Sequence, residues 1–436
     1  MLRFAPSPTG DLHIGNLRVA IFNYIIAKQT NTPFLIRIED TDTSRNIEGK
    51  DKEILSILNH FGISWDRVVY QSENFNLHRK IANKLINENK AFHCHCSNDF
   101  LDRKRKEALD SNKAFRYKRN WINEVEKINN PSIRLEASNT NISFVDAIKG
   151  ICSFDKNELD SFVIIRNDGI PTYNFACSMD DMIYDISFII RGEDHVSNTP
   201  KQILIHKYLD YKKDIKYAHL PIILNNYGKK MSKRDSESSV KWLLSEGYLP
   251  QAIANYLLLI GNKTPKDIFT INEALEWFDI NSISKSPAKF SIDNLRYINR
   301  EHLKQIEASD LATLLDSKDI NIGHIAKIYI EESSTLKEIK TKIDAIFSPK
   351  KLDAIFASQM QILSKAVLSN DFSNLDFNAF SKRLTSLTNL SGKELFKPLR
   401  LLLTGSFDGP ILSDLYPHLK IYLKDIAKIE NMKEEI

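Results

Sequence analysis

Two short stretches carry residues suited to handling a polyphosphate. "HIGN" (13–16) places a histidine and a glycine directly before a run whose apolar positions, Leu17, Ala20, Ile21, Tyr24 and Ile25, repeat at helical spacing. A helix start offers backbone N–H groups and the positive end of the helix dipole, which together favour an anion such as phosphate. "YGKKMSKRD" (227–235) holds four cations and a flexible Gly228, between the apolar "LPIIL" (220–224) and the next helical pattern. Compact ammonium groups at Lys230 and Lys233 can close over a triphosphate and neutralise charge as it develops. Taken alone, such a charge run reads more readily as a solvated loop.

These groups need elements to position them. "LRFA" (2–5) is a short strand stopped by Pro6, Pro8 and Gly10, so the N-terminus reads strand, loop, helix. "PFLIRIEDTD" (33–42) is a second strand ending in three acids. "DISFIIRGEDH" (185–195) is a third, ending in Arg191, Glu193, Asp194 and His195. In a doubly wound parallel sheet, ligands bind outside the carboxyl ends of the strands. Three strands ending in polar or turn chemistry therefore point to one shared site, although each end alone reads as an ordinary surface loop.

With 436 residues, the chain has room for two to four domains. Apolar residues make up 42% and charged residues 27%, an ordinary globular balance. No run approaches the length of a membrane span, and no secretory signal is expected. Four cysteines do not make a disulfide framework at this length, so a reducing, cytoplasmic setting is expected. The net charge of +4 is too small to argue for nucleic acid, so any polyanion site must come from local clustering.

In combination, the pieces resemble the class I aminoacyl-tRNA synthetases, and within them the bacterial-type glutamyl-tRNA synthetases. "HIGN" looks like the first signature of that class and "KMSKR" (230–234) like the second, in the right order and about 215 residues apart. "APSPTG" (5–10), "RIEDTD" (37–42), "DGIPTYNFA" (168–176), "RGEDHVSNTPKQ" (191–202), "GYLPQAIANYLLLIG" (247–261) and "FKPLRLLLTGSFDGP" (396–410) extend the match over nearly the whole chain. Asn16 departs from the second histidine common in the wider class; such variation is usual in the glutamyl branch.

The resemblance implies an α/β fold: a Rossmann-type catalytic domain split into 1–72 and 185–238, and an inserted acceptor-stem-binding subdomain at 73–184. A stem-contact helical domain at 239–314 and an α-helical anticodon-binding domain at 315–436 would follow. It implies ligation of L-glutamate to tRNA(Glu) through a glutamyl-adenylate, with a non-discriminating enzyme that also or preferentially serves tRNA(Gln) as the alternative. ATP would be held by His13, Gly15, Asn16, Lys230, Met231, Ser232 and Lys233, with His13, Lys230 and Lys233 in catalysis. Glutamate would meet Arg3, Ala5, Ser7, Glu39, Tyr173, Cys177 and Arg191. Guanidinium pairs bidentately with carboxylate, which suits Arg3 and Arg191, and Glu39 would take the ammonium. Which arginine meets which carboxylate stays open. Mg²⁺ would arrive with ATP, and a monomer is expected.

Within the insertion, "DRKRKEALDSNKAFRYKRNW" (102–121) sets eight Lys/Arg against three acids, with Phe115, Tyr117 and Trp121 interleaved. That mixture suits RNA backbone and unpaired bases, or a solvated helix over 102–113. Cys94 and Cys96 match half of a zinc site of some relatives. The other half would fall near "RYKRNWIN" (116–123), which holds neither Cys nor His, so zinc is not expected. Beyond residue 240 the pattern is helical, as in the glutamyl type. Arg400 is open to anticodon contact or to helix packing.

Overall fold

The computed structural model describes residues 1–231 and 235–430. Ser232 and Lys233, two of the expected ATP ligands, lie outside the described residues. Backbone contacts divide the chain into two compact units. The first joins Met1–Lys241 to Leu257–Ser291; the second joins Trp242–Tyr256 to the chain from Ile292 onward.

Ten strands of the first unit build two sheets: β1 (Leu2–Phe4), β2 (Phe34–Ile38), β3 (Arg67–Tyr70), β4 (Ala91–Cys94), β5 (Ser132–Leu135), β6 (Ile142–Asp146), β7 (Gly150–Phe154), β8 (Val163–Ile165), β9 (Phe188–Gly192) and β10 (Lys216–Leu220). The larger sheet runs β3-β2-β1-β9-β10-β6-β7. Its first six strands are parallel, and β7 returns antiparallel to β6. Parallel strands are covered on both faces, which is why "FLIRI" is continuously apolar apart from one arginine and wholly buried. Strand order changes direction between β1 and β9, and a doubly wound sheet opens its ligand crevice at that point.

The helix after β1, α1 (Ile14–Gln29), is capped by His13 and buries Leu17, Ile21 and Ile25 completely. Next come α2 (Lys50–His60), α3 (Phe75–Asn87), α4 (Asn98–Asp110), α5 (Tyr173–Ile183) and α6 (Thr199–Tyr208). The smaller antiparallel sheet, β4-β5-β8, packs Ile133, Leu135 and Ile164 against Leu85 of α3 and Phe175 of α5.

The chain divides differently from the expected boundaries in two places. The β6–β7 hairpin belongs by sequence to the stretch 73–184, yet it joins the main sheet, Asp146 pairing with Tyr217. It thereby covers an edge of β10 that would otherwise present unpaired backbone groups. The stretch 239–314 is shared between the two units.

The basic, aromatic stretch of the insertion also differs from expectation. Its aromatic rings are not laid out for bases: Tyr117 and Trp121 are buried in a small core with Phe92, Cys94, Cys96 and Leu101, and Phe115 packs against it. Several cations sit on these rings, Arg119 over Phe92 at 3.6 Å and Arg134 over Tyr117 at 4.0 Å. The Arg134 Nε also donates to the Cys94 sulfur at 3.3 Å, placing a cation where a metal would have to sit. Among the described residues, no three His, Cys, Asp or Glu side chains are grouped as metal ligands require.

The described part of the second unit is helical. Helices such as Ile292–Gln305, Leu336–Phe347 and Gly392–Thr404 bury Leu295, Ile339 and Leu399 completely. Arg296 and Glu338 pair through both nitrogens, at 2.7 and 3.2 Å. Arg400 donates to the Pro410 carbonyl at 2.8 Å, fastening its helix to the following loop. Among the described residues, no helix is long and apolar enough to cross a membrane.

Candidate active site

A cavity of about 830 Å³ opens at the carboxyl ends of β1 and β9. Its lining includes Arg3, Ala5, Ser7, His13, Gly15, Asn16, Glu39, Tyr173, Arg191, Lys230 and Met231. These are the predicted site residues apart from Cys177 and the two beyond description. Residues from five separate stretches of sequence thus share one cavity.

The loop between β1 and α1 is pinned from outside. The Pro6 carbonyl accepts from the Glu39 N–H, and the Pro8 carbonyl from the Ile47 N–H, both at 2.9 Å. His13 Nδ1 accepts the Gly15 N–H at 3.0 Å, so that nitrogen carries no proton. A Cβ at position 15 would meet the same nitrogen at 3.3 Å, so glycine keeps the cap unstrained.

Behind the floor lies a buried network that the sequence reading missed. Asp181 of α5 bridges Arg3 of β1, at 3.2 Å, and Arg37 of β2. Arg37 also donates to Glu39 Oε1 at 3.1 Å. Burial raises the Asp181 pKa, but Arg37 and Arg3 outweigh it and bring the group down to about 2. Two guanidiniums and two carboxylates thus balance in the dry interior. Cys177 stands in this layer rather than in the cavity wall: it is 1% exposed, and its thiol donates to Glu39 Oε1 at 3.0 Å. Burial and the Glu39 charge push its pKa well up, which keeps it a thiol. Direct contact with substrate, expected from the sequence, is replaced by support of Glu39. An acidic pair, Asp180–Asp181, inside an otherwise apolar helix was the signal available.

Arg191 differs from these two arginines. It is 6% exposed and lines the cavity. Its Nε points to His219 Nε2 at 3.2 Å, and its Nη2 donates to Thr199 Oγ1 at 2.8 Å. No carboxylate among the described residues pairs with it, and its buried Nη1 has no partner. A buried cation is costly unless paired.

The rest of the "RGEDH" segment is divided by task. Glu193 accepts the Ile222 N–H at 2.8 Å and holds the cavity's apolar wall. Asp194 accepts from Lys230 Nζ at 2.9 Å. His195 Nδ1 receives Asn198 Nδ2 at 3.3 Å and the Tyr173 hydroxyl at 3.0 Å. Burial, then Arg191, lower the His195 pKa to about 4, so the ring is neutral with its proton on Nε2.

A mononucleotide-sized cavity at the switch point of a parallel sheet, entered by a capped helix and a lysine-bearing loop, defines the class. Residues 1–297 match the family model of the class I tRNA synthetases (E and Q), catalytic domain. The chain is 58% identical to a glutamate–tRNA ligase 2 of Wolinella succinogenes, over 99% of both chains. It is 52% identical to a glutamylglutaminyl-tRNA synthetase of Helicobacter pylori, over 99% of this chain and 100% of that protein. A solved glutamate tRNA ligase of Elizabethkingia meningosepticum, in complex with its amino acid, superposes with a TM-score of 0.82 at 26% identity, covering 98% and 97% of the two chains. The chain belongs to the class I aminoacyl-tRNA synthetases, in the glutamate–tRNA ligase family. It joins glutamate to tRNA.

Proposed function

We propose that the enzyme first activates glutamate with ATP and then transfers it to the 3′-terminal adenosine of tRNA(Glu). The unpartnered Nη1 of buried Arg191 is the observation that carries the amino acid's placement. Arg191 takes the side-chain carboxylate. Glutamine would set an amide N–H against those donors, and the site would reject it. Arg3, held by Asp181, faces the α-carboxylate, and Glu39 takes the ammonium. Ala5, Ser7 and Tyr173 complete the contact surface.

The glutamate α-carboxylate oxygen attacks the α-phosphorus, and the bond to pyrophosphate breaks. The 3′-adenosine hydroxyl then attacks the acyl carbon and AMP leaves. Neither step needs a covalent enzyme intermediate; both need alignment and charge stabilisation. His13, Gly15 and Asn16 hold the nucleotide at the start of α1, and Met231 and Ser232 contact it from the loop. Lys230 leaves Asp194 for the phosphates, joined by Lys233. Of the acids lining the cavity, Asp11 and Glu39 already face Lys50 and Arg37, and only Asp194 is freed when Lys230 moves, one carboxylate being too few for a cage. Mg²⁺ therefore enters with ATP rather than in a protein cage.

A second reading widens the RNA substrate to tRNA(Gln); the relative named glutamylglutaminyl-tRNA synthetase supports it. Charging of separate tRNA(Glu) and tRNA(Gln) transcripts with glutamate decides. Charging of tRNA(Glu) alone is the expected result, charging of both establishes the second reading, and charging of neither refutes both. Lys233→Ala should slow activation by about a thousandfold with the fold intact. Full activity would remove that lysine from the mechanism.

A further inference from the structure

We infer that Asp146 and His219, which line no part of the cavity, are positioning residues that orient Arg191 for the glutamate side chain. The inference rests on the reading of Arg191 given above. Both residues are essentially sealed, Asp146 at 1% and His219 at 0% exposure. The Arg191 Nε always carries hydrogen, so His219 Nε2, 3.2 Å away, has to be the acceptor. The ring proton is then on Nδ1, and it is donated to Asp146 Oδ2 at 2.6 Å. Asp146 is itself locked: its Oδ1 accepts the N–H groups of Ile148 at 2.9 Å, Lys149 at 2.8 Å and His219 at 3.3 Å.

The chain of command is therefore carboxylate, imidazole, guanidinium. It fixes the plane of Arg191 from behind through Nε, while Thr199 and the His195 carbonyl hold Nη2. Nη1 alone is left without a partner, and it can meet only an acceptor. Burial lowers the His219 pKa, the Arg191 charge opposes protonation further, and Asp146 partly offsets both. An imidazolium here would press a second cation against Arg191. The device spans two elements: the β6–β7 hairpin supplies Asp146, and β10 supplies His219.

Asp146→Asn tests the chain through its tautomer. Three backbone N–H groups keep an oxygen at the Oδ1 position, so the amide N–H₂ falls against His219 Nδ1. The ring proton must then move to Nε2, where it opposes the Arg191 Nε–H and turns to Thr199 Oγ1, 3.1 Å away, which also receives Arg191 Nη2. We expect the KM for glutamate to rise about tenfold or more, and the preference for glutamate over glutamine to shrink by a similar factor. The KM for ATP should stay within about twofold, measured with tRNA present throughout. His219→Asn, which reaches the Asp146 side but offers nothing at the Nε2 position, should behave likewise. His219→Gln, whose side-chain oxygen reaches that position, should recover most of the preference.

Arg191→Leu separates the two levels of argument. If it leaves glutamate KM and preference unchanged, the reading of Arg191 fails. If it abolishes them while Asp146→Asn and His219→Asn do not, Arg191 keeps its role and the positioning chain is overturned. Equal losses for glutamate and ATP, or His219→Gln no better than His219→Asn, would make the pair merely structural and likewise overturn it.

Discussion

The two units treat buried polar groups in opposite ways. In the helical unit they close on themselves. Lys350 donates to the Ile346 carbonyl at 2.6 Å, Asn299 links the Leu249 N–H to the Ser334 carbonyl, and Ser364 donates to the Ala427 carbonyl. Ser333 Oγ is its one unpartnered buried side-chain atom among the described residues. In the sheet unit such atoms are more numerous; Arg18 Nε, Arg37 Nε, Asp181 Oδ2 and Arg191 Nη1 belong to residues that line the cavity or stand directly behind it, while others, such as Asn262 Oδ1 and Trp277 Nε1, do not. Unsatisfied groups of this kind cost stability, and those at the cavity are placed where a bound ligand would satisfy them. The helical unit is built for packing and the sheet unit for occupancy.

Breaking this contrast begins with Asp181→Asn. It leaves Arg3 and Arg37 buried without their shared charge, and should cost about 3–5 kcal/mol in chemical denaturation. Glu338→Gln is the matched change in the helical unit. The Arg296–Glu338 pair is more than a third exposed, at 36% and 38%, so the loss should stay below about 1 kcal/mol. Equal losses would erase the distinction drawn between the units.

The smallest expected effect is on pH dependence. His195 sits at about 4 in the folded chain against its ordinary 6.5, through burial and then Arg191. As pH falls below 6.5, the unfolded chain takes up this proton first, so stability is intact above 6.5 and is lost progressively down to about 4. His195→Asn should flatten that part of the stability curve. The further loss near Asp181, depressed to about 2, should survive the substitution. An unchanged slope between pH 6.5 and 4 would show that His195 is not buried neutral.

The frame of the site was legible in the sequence because its parts are local. A strand end, its turn and the next helix start lie within a dozen residues in "RFAPSPTGDLHIGN", and each motif names its own element. What stayed hidden depends on three-dimensional neighbours. His219 in "YAHLPI" and Asp181 in "CSMDDM" stand among apolar residues with no spacing rule that marks them. Tyr117 and Trp121 carried the composition of an RNA surface and became a small core instead, because cations can as readily cap aromatic rings as meet phosphates. Cys177 was placed on the right element but one layer too far forward.

The pairing of β1 with β9, which brings Arg3 and Arg191 to one cavity, also sets a timetable. Leu2 is opposite Phe188, and the N-terminal ammonium donates to the Asp185 carbonyl at 3.0 Å. At the usual pace of synthesis, β1 waits on the order of ten to forty seconds for that neighbour. Until then β1 can pair only with β2, and the cavity that Arg3 lines lacks the wall that Arg191 supplies. Under the proposed placement of glutamate, its pocket cannot close before β9 has been made.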